Sequence, residues 1–117
     1  MAPDNARECN FCERSPVECR ELIEQESEAA CVILDVRTHE EFLNGHLAGA
    51  DNLDYFGSNF SSQLKKRDKN PLYIVYCQKG VRGSRTMDLM KGCEFCRVIN
   101  IKGGFEGWKA SGLPVQE

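Results

Sequence analysis

No apolar run in this sequence approaches the roughly 20 residues needed to cross a bilayer, so no membrane span is expected. An excess of basic charge is also missing. Fifteen Lys and Arg face 18 Asp and Glu, for a net charge of -3. That balance gives no electrostatic case for nucleic-acid or anionic-membrane binding, and any anion must be held by a local arrangement. The first residues, Met1 to Arg14, have no apolar h-region and do not read as a secretory signal. Internal repeats and low-complexity stretches are absent. At 117 residues and 41% hydrophobic, the chain has room for one domain with a modest core.

Cysteine breaks this pattern of scarcity, with seven in the chain. An odd count with no secretory signal argues against a disulfide framework and for the reduced thiols of a cytoplasmic protein. At least one thiol is therefore a candidate for chemistry.

Residues 1–14 show neither helical nor strand period and read as a flexible arm, leaving 15–117 as the domain. Ser15-Pro16-Val17-Glu18 is a capping box with proline at the first helical position. It predicts a helix to about Glu26, with Val17, Leu22 and Ile23 facing inward. Cys31 to Val36 (CVILDV) is a continuous apolar run ending in an acid, the pattern of a strand buried on both faces. A second capping box, Thr38 to Glu41, opens a short helix that Gly45 can end. Gly45 to Leu53 is turn-rich and is expected to lead into a short strand. Residues 58–67 read as a helix burying Phe60 and Leu64. LYIVY (72–76) and RVINI (97–101) are further strands, with a helix between them from Arg85 to about Lys91. Met87 and Met90 lie on the inner side of that helix. Gly103-Gly104 then precedes a short helical turn with Phe105 and Trp108. Alternating strands and helices predict a parallel α/β sheet with right-handed crossovers.

Open parallel sheets bind ligands beyond the carboxyl ends of their strands, at helix N-termini. Cys77 falls there, directly after LYIVY. The residues Cys77-Gln78-Lys79-Gly80-Val81-Arg82 can curl so that backbone N–H groups converge on the sulfur, with Gly80 permitting the turn. The helix start adds partial positive charge, and Lys79 and Arg82 add cations at the rim. All favour the thiolate, which is the nucleophile, and would equally stabilise a persulfide.

Several segments together resemble rhodanese-like domains. Leu34-Asp35-Val36-Arg37, Glu40-Glu41-Phe42, Gly45-His46 and Gly49-Ala50 with Asn52 look like the first signature of that family. Tyr76-Cys77 through Arg82 is similar to its active loop. Val98, Asn100, Gly103-Gly104, Trp108 and Gly112-Leu113-Pro114-Val115 match its closing segment. The resemblance spans roughly residues 15 to 115. It implies a five-stranded parallel sheet flanked by helices and a sulfurtransferase in which Cys77 accepts sulfane sulfur as a persulfide. Gln78, Lys79, Gly80, Val81 and Arg82 would then bind the substrate sulfur, with no cofactor and no metal. The partners implied are a small sulfur donor and a nucleophilic acceptor such as cyanide, a thiol or a sulfur-carrier protein. Gln78 stands where the family often has arginine, and Glu41 where two-domain thiosulfate-using relatives carry one. The donor is accordingly thiosulfate or a persulfide. Two other readings stay open. One is a non-catalytic binding module of the same family. The other is a cysteine-dependent phosphatase or arsenate reductase, whose loop is one residue longer than the four residues separating Cys77 from Arg82.

Other residues invite chemistry less strongly. Cys9-x-x-Cys12 and Cys93-x-x-Cys96 could together supply four thiolates to zinc, but they lie far outside compact zinc-ribbon spacing. Incidental thiols are the simpler expectation. His46 reads as a satisfied hydrogen-bonding residue, and Asp35 with Arg37 as a structural ion pair.

Overall fold

Residues 10–117 are described by the computed structural model. The strands β1 (Phe11–Arg14), β2 (Cys31–Asp35), β3 (Asp51–Asn52), β4 (Leu72–Tyr76) and β5 (Arg97–Ile101) form one sheet in the order β1-β5-β4-β2-β3. Every pairing is parallel, as the alternation of elements predicts. The helices are α1 (Pro16–Gln25), α2 (His39–Leu43), α3 (Phe60–Lys65), α4 (Val81–Gly92) and α5 (Gly104–Ala110).

β4 is the middle strand and all five of its residues are buried, because helices cover both faces of the sheet. On one side Ile74 and Ile99 pack with Cys19, Phe105 and Trp108. On the other, Val75 and Val98 pack with Leu64 and Met90. Both predicted capping boxes form, at Ser15–Glu18 and Thr38–Glu41. Phe60 and Leu64 are buried as expected.

Three expectations need correction. The arm assigned to residues 1–14 does not include Phe11–Arg14, which form the edge strand β1, paired with β5 from Phe11↔Val98 to Arg14↔Ile101. Four residues are too few to show a period, and the partner that makes them a strand lies far along the chain. Residues 1–9 lie outside the described part. Val17 faces out and is 49% exposed. The inward stripe of α1 is instead Cys19, Leu22 and Ile23, which has the i, i+3, i+4 spacing of one helix face. Finally, α4 begins at Val81, four residues before the expected start. Its N-cap is Gly80, which offers no side-chain hydrogen bond and so leaves no capping signal in the sequence.

Candidate active site

From β2 the chain moves to β3 on one side of the sheet, and from β4 it moves to β5 on the other. Where adjacent strands send their connections in opposite directions, a crevice opens at their carboxyl ends. Cys77 follows β4 at that crevice, and Arg37 follows β2 across it.

Cys77 is 1% exposed, and its sulfur accepts two backbone hydrogen bonds, from Gly80 N at 3.1 Å and Gly83 N at 3.2 Å. Gly80 reaches this geometry at φ +114°, which a side chain would resist. N–H dipoles pointed at a sulfur favour negative charge on it. The back of the loop is gripped as well. Phe105 N donates to Cys77 O at 2.8 Å and Glu106 N to Gln78 O at 3.0 Å, so the otherwise unpaired amides at the start of α5 hold the loop. That approach demands glycine at 104. A Cβ there would sit 2.5 Å from Cys77 O and 2.7 Å from Gln78 C.

Gln78 is braced from the side. Its Oε1 accepts from Arg37 Nη1 at 3.2 Å and its Nε2 donates to Glu106 Oε2 at 3.2 Å. Arg37 is itself buried, held by both Asp35 oxygens, by Gly45 O at 2.6 Å and over the Phe105 ring at 4.1 Å. Burial works against its charge, but the hydrogen bond and attraction from Asp35 outweigh it and keep its pKa above the ordinary arginine value. Asp35 and Arg37 thus form the structural pair expected of them. Burial also pushes the Tyr76 phenol well up, so its hydroxyl stays neutral while accepting from Leu47 N.

Glu41, Cys77, Gln78, Lys79, Val81 and Arg82 line a recess of about 300 Å³ at the mouth. Five of the six residues predicted for the site therefore line it, and the sixth, Gly80, contributes its N–H from within the loop. Arg82 and Glu41 pair through Nη1 and Nη2 of the guanidinium, at 3.0 and 3.3 Å. Partial burial raises the Glu41 pKa, yet the hydrogen bonds from Arg82 and Thr38 prevail and hold it below the usual carboxylate range. Sequence reasoning tied Glu41 to the choice of donor but did not place Gly83, Asn100, Gly104, Phe105 or Glu106 at the site. The Gly103-Gly104 pair was the visible signal for the second grip.

A larger recess, about 340 Å³, lies between α1 and the 48–49 loop and carries Cys31. Burial pushes that thiol up to about 11, which leaves it protonated and a poor nucleophile. Among the described cysteines, Cys19, Cys31, Cys77, Cys93 and Cys96 are free thiols. Cys93 caps the far end of α4, a helix about 18 Å long by its residue count, so the Cys93–Cys96 pair is remote from Cys77. Cys9 lies outside the described residues, and with it the first CxxC pair as a unit. Among the described residues, no three His, Cys, Asp or Glu side chains are grouped to hold a metal ion, and no helix is long and apolar enough to cross a membrane. His46 Nδ1 lies 3.0 Å from Phe42 O and its ring stacks on Phe42, in keeping with a satisfied hydrogen-bonding residue.

Comparison with known proteins agrees with this arrangement. The Thermoplasma volcanium rhodanese-related protein superimposes with a TM-score of 0.78, covering 91% of this chain and 98% of its own at 23% identity, which is a likeness of fold. The thiosulfate sulfurtransferase GlpE of Actinobacillus pleuropneumoniae is 33% identical over 106 residues, 91% of this chain and 94% of that protein. Thiosulfate sulfurtransferase 16, chloroplastic, of Arabidopsis thaliana is 34% identical over 93 residues, 71% of this chain and 78% of that protein. The family model for the rhodanese-like domain matches residues 15–111, and with the parallel sheet and the Cys77 loop in place, the chain belongs to the rhodanese-like domain family.

Proposed function

We propose that this protein is a rhodanese-type sulfurtransferase that carries sulfane sulfur as a persulfide on Cys77. The observation that carries the proposal is the pair of amides, Gly80 N and Gly83 N, directed at a buried Cys77 sulfur. In the first half-reaction the Cys77 thiolate attacks the outer sulfur of the donor. With thiosulfate, a Cys–S–S bond forms as the S–S bond of the donor breaks, and sulfite leaves with the electron pair. In the second, a nucleophile such as cyanide attacks the outer sulfur, the persulfide bond breaks, and the Cys77 thiolate returns as thiocyanate departs. No external oxidant or reductant is consumed and no general base is needed.

The residues around the sulfur take distinct roles. The Gly80 and Gly83 N–H groups stabilise the sulfur anion, and the turn through Gln78, Lys79 and Val81 shapes the space for the added sulfur. Lys79 and Arg82 attract an anionic donor, though Arg82 shares its charge with Glu41. That sharing favours a persulfide donor over the dianionic thiosulfate. A thiol or a sulfur-carrier protein then serves as the natural acceptor, in a reducing, cytoplasmic setting that suits the free thiols. The relatives named thiosulfate sulfurtransferase support the reaction class.

The test is transfer from thiosulfate, and from a glutathione persulfide, to cyanide, with the intact protein weighed after donor treatment. Gain of one sulfur atom, lost in Cys77→Ser, is expected. Hydrolysis of an aryl phosphate, or a partner retained by Cys77→Ala with no transfer by the native chain, would instead support the phosphatase or binding-module readings.

A further inference from the structure

Asn100 interrupts RVINI, a strand otherwise made of apolar residues after its first position, and it is 0% exposed. Its Nδ2 donates to Gly80 O and to Glu13 Oε2, both at 3.2 Å. Both partners are acceptors, so the amide orientation is fixed: the nitrogen must face them. Its Oδ1 then lies buried with no hydrogen-bond partner, against Gly83, where a Cβ would overlap the Asn100 side chain. An unsatisfied buried acceptor costs stability, and an apolar residue of similar shape would avoid that cost. Residues that break the local rule in this way mark functional positions.

What Asn100 touches gives the function. Gly80 presents its N–H to the Cys77 sulfur and its carbonyl to Asn100. Gly83, the second donor to the sulfur, is the residue against which Asn100 packs. Gly80 has the widest conformational freedom of any residue type and caps α4 without a side chain, so an outside restraint must select its conformation. Ser84 N supplies one hydrogen bond to its carbonyl, at 3.0 Å, as the first helical bond of α4. Asn100 supplies the other.

We infer that Asn100 is a positioning residue for the sulfur-binding loop, oriented by Glu13 from the edge strand β1. The inference rests on the functional reading above and extends it to the residue that sets the direction of the sulfur's amide donors. Glu13 is the register partner of Asn100, so β1 places its carboxylate beside the amide. A loop freed from Asn100 still contains Cys77, but Gly80 N–H is no longer held on the sulfur.

The experiment uses the full chain and the variants Asn100→Ala and Glu13→Ala. Three readouts are taken: the rate of Cys77 alkylation by iodoacetamide across pH, kcat and KM for thiosulfate, and thermal unfolding. Alkylation needs no sulfur transfer, so it decides the positioning role even if the native chain moves no sulfur. That last result would count against the functional reading alone. For Asn100→Ala, alkylation at neutral pH should slow about tenfold, roughly the worth of one hydrogen bond to an anion. Its pH profile should move to higher pH, and kcat should fall with KM nearly unchanged. Glu13→Ala, an exposed site that leaves the loop untouched, should move the same readouts in the same direction by a smaller factor, about threefold. A Tm change in Asn100→Ala with an unchanged alkylation profile and kcat would overturn the inference and make Asn100 a residue that ties β1 to the sheet. If Asn100→Ala does not fold, Glu13→Ala decides: a native alkylation profile and native kcat in that variant overturn it.

Discussion

Cys77 and Cys19 are equally buried, at 1% and 0% exposure, yet their surroundings are opposite. Cys19 sits among Ile23, Ile99 and Trp108, with its thiol 3.6 Å from the carbonyl of Arg14, to which it donates. Burial pushes it up to about 12, and the neighbouring Glu18 adds to the effect. The sulfur of Cys77 accepts from two amides instead. Equal burial therefore places two cysteines of this chain in different hydrogen-bonding surroundings. On the proposed function, the sign of the dipoles around the sulfur is what separates them.

Removing each thiol separates them most sharply. Cys77→Ser should lower sulfur transfer on the order of a thousandfold or more with little change in unfolding temperature, since the nucleophile is lost and the pocket kept. Cys19→Ser should leave transfer within about twofold but cost about 1–2 kcal/mol, because it places a hydroxyl in an apolar cluster. Equal losses of activity in the two variants would end the contrast. Next in size is Gly104→Ala. Its φ of +63° and the close approach of Cys77 O leave no room for a methyl group, so about 2 kcal/mol or more of stability should go, with transfer falling alongside. Chemical denaturation and steady-state assays of the same preparation measure both.

Limited alkylation near pH 8 offers a finer discrimination. With thiols at about 11 and about 12, Cys31 and Cys19 are thiolate in roughly one molecule in a thousand or fewer. Peptide mapping should find Cys77 labelled well ahead of both. Smallest is Glu41→Gln, worth under about 1 kcal/mol because the Arg82 pair lies at an open mouth. The Glu41 carboxyl is held below its unfolded value, so its contribution is present above the ordinary carboxylate range and is lost as pH falls through the folded value. The stability difference between native protein and variant should therefore shrink toward zero in acid.

Much of this arrangement could be read in the chain. The apolar runs at 31–36, 72–76 and 97–101 and the two capping boxes are local signals, and all of them form as local physics directs. The Cys77 loop was legible because strand, glycine and cations occur within a few residues of Cys77. What escaped is non-local. Phe11–Arg14 becomes a strand only through β5, and α4 starts at a glycine that carries no capping signal. Asn100 and Gly104 reach the loop from about twenty or more positions away, by hydrogen bonds and close packing that no periodicity encodes.

The central claim is that the sulfur held by Gly80 and Gly83 takes up another sulfur. Intact-protein and peptide mass spectrometry after treatment with a sulfane donor tests it directly. The expected result is a gain of one sulfur atom on the Cys77 peptide alone, discharged by cyanide as thiocyanate forms in equal amount. An unmodified Cys77 after exposure to thiosulfate and to a persulfide, or added sulfur on other cysteines in its place, would contradict it.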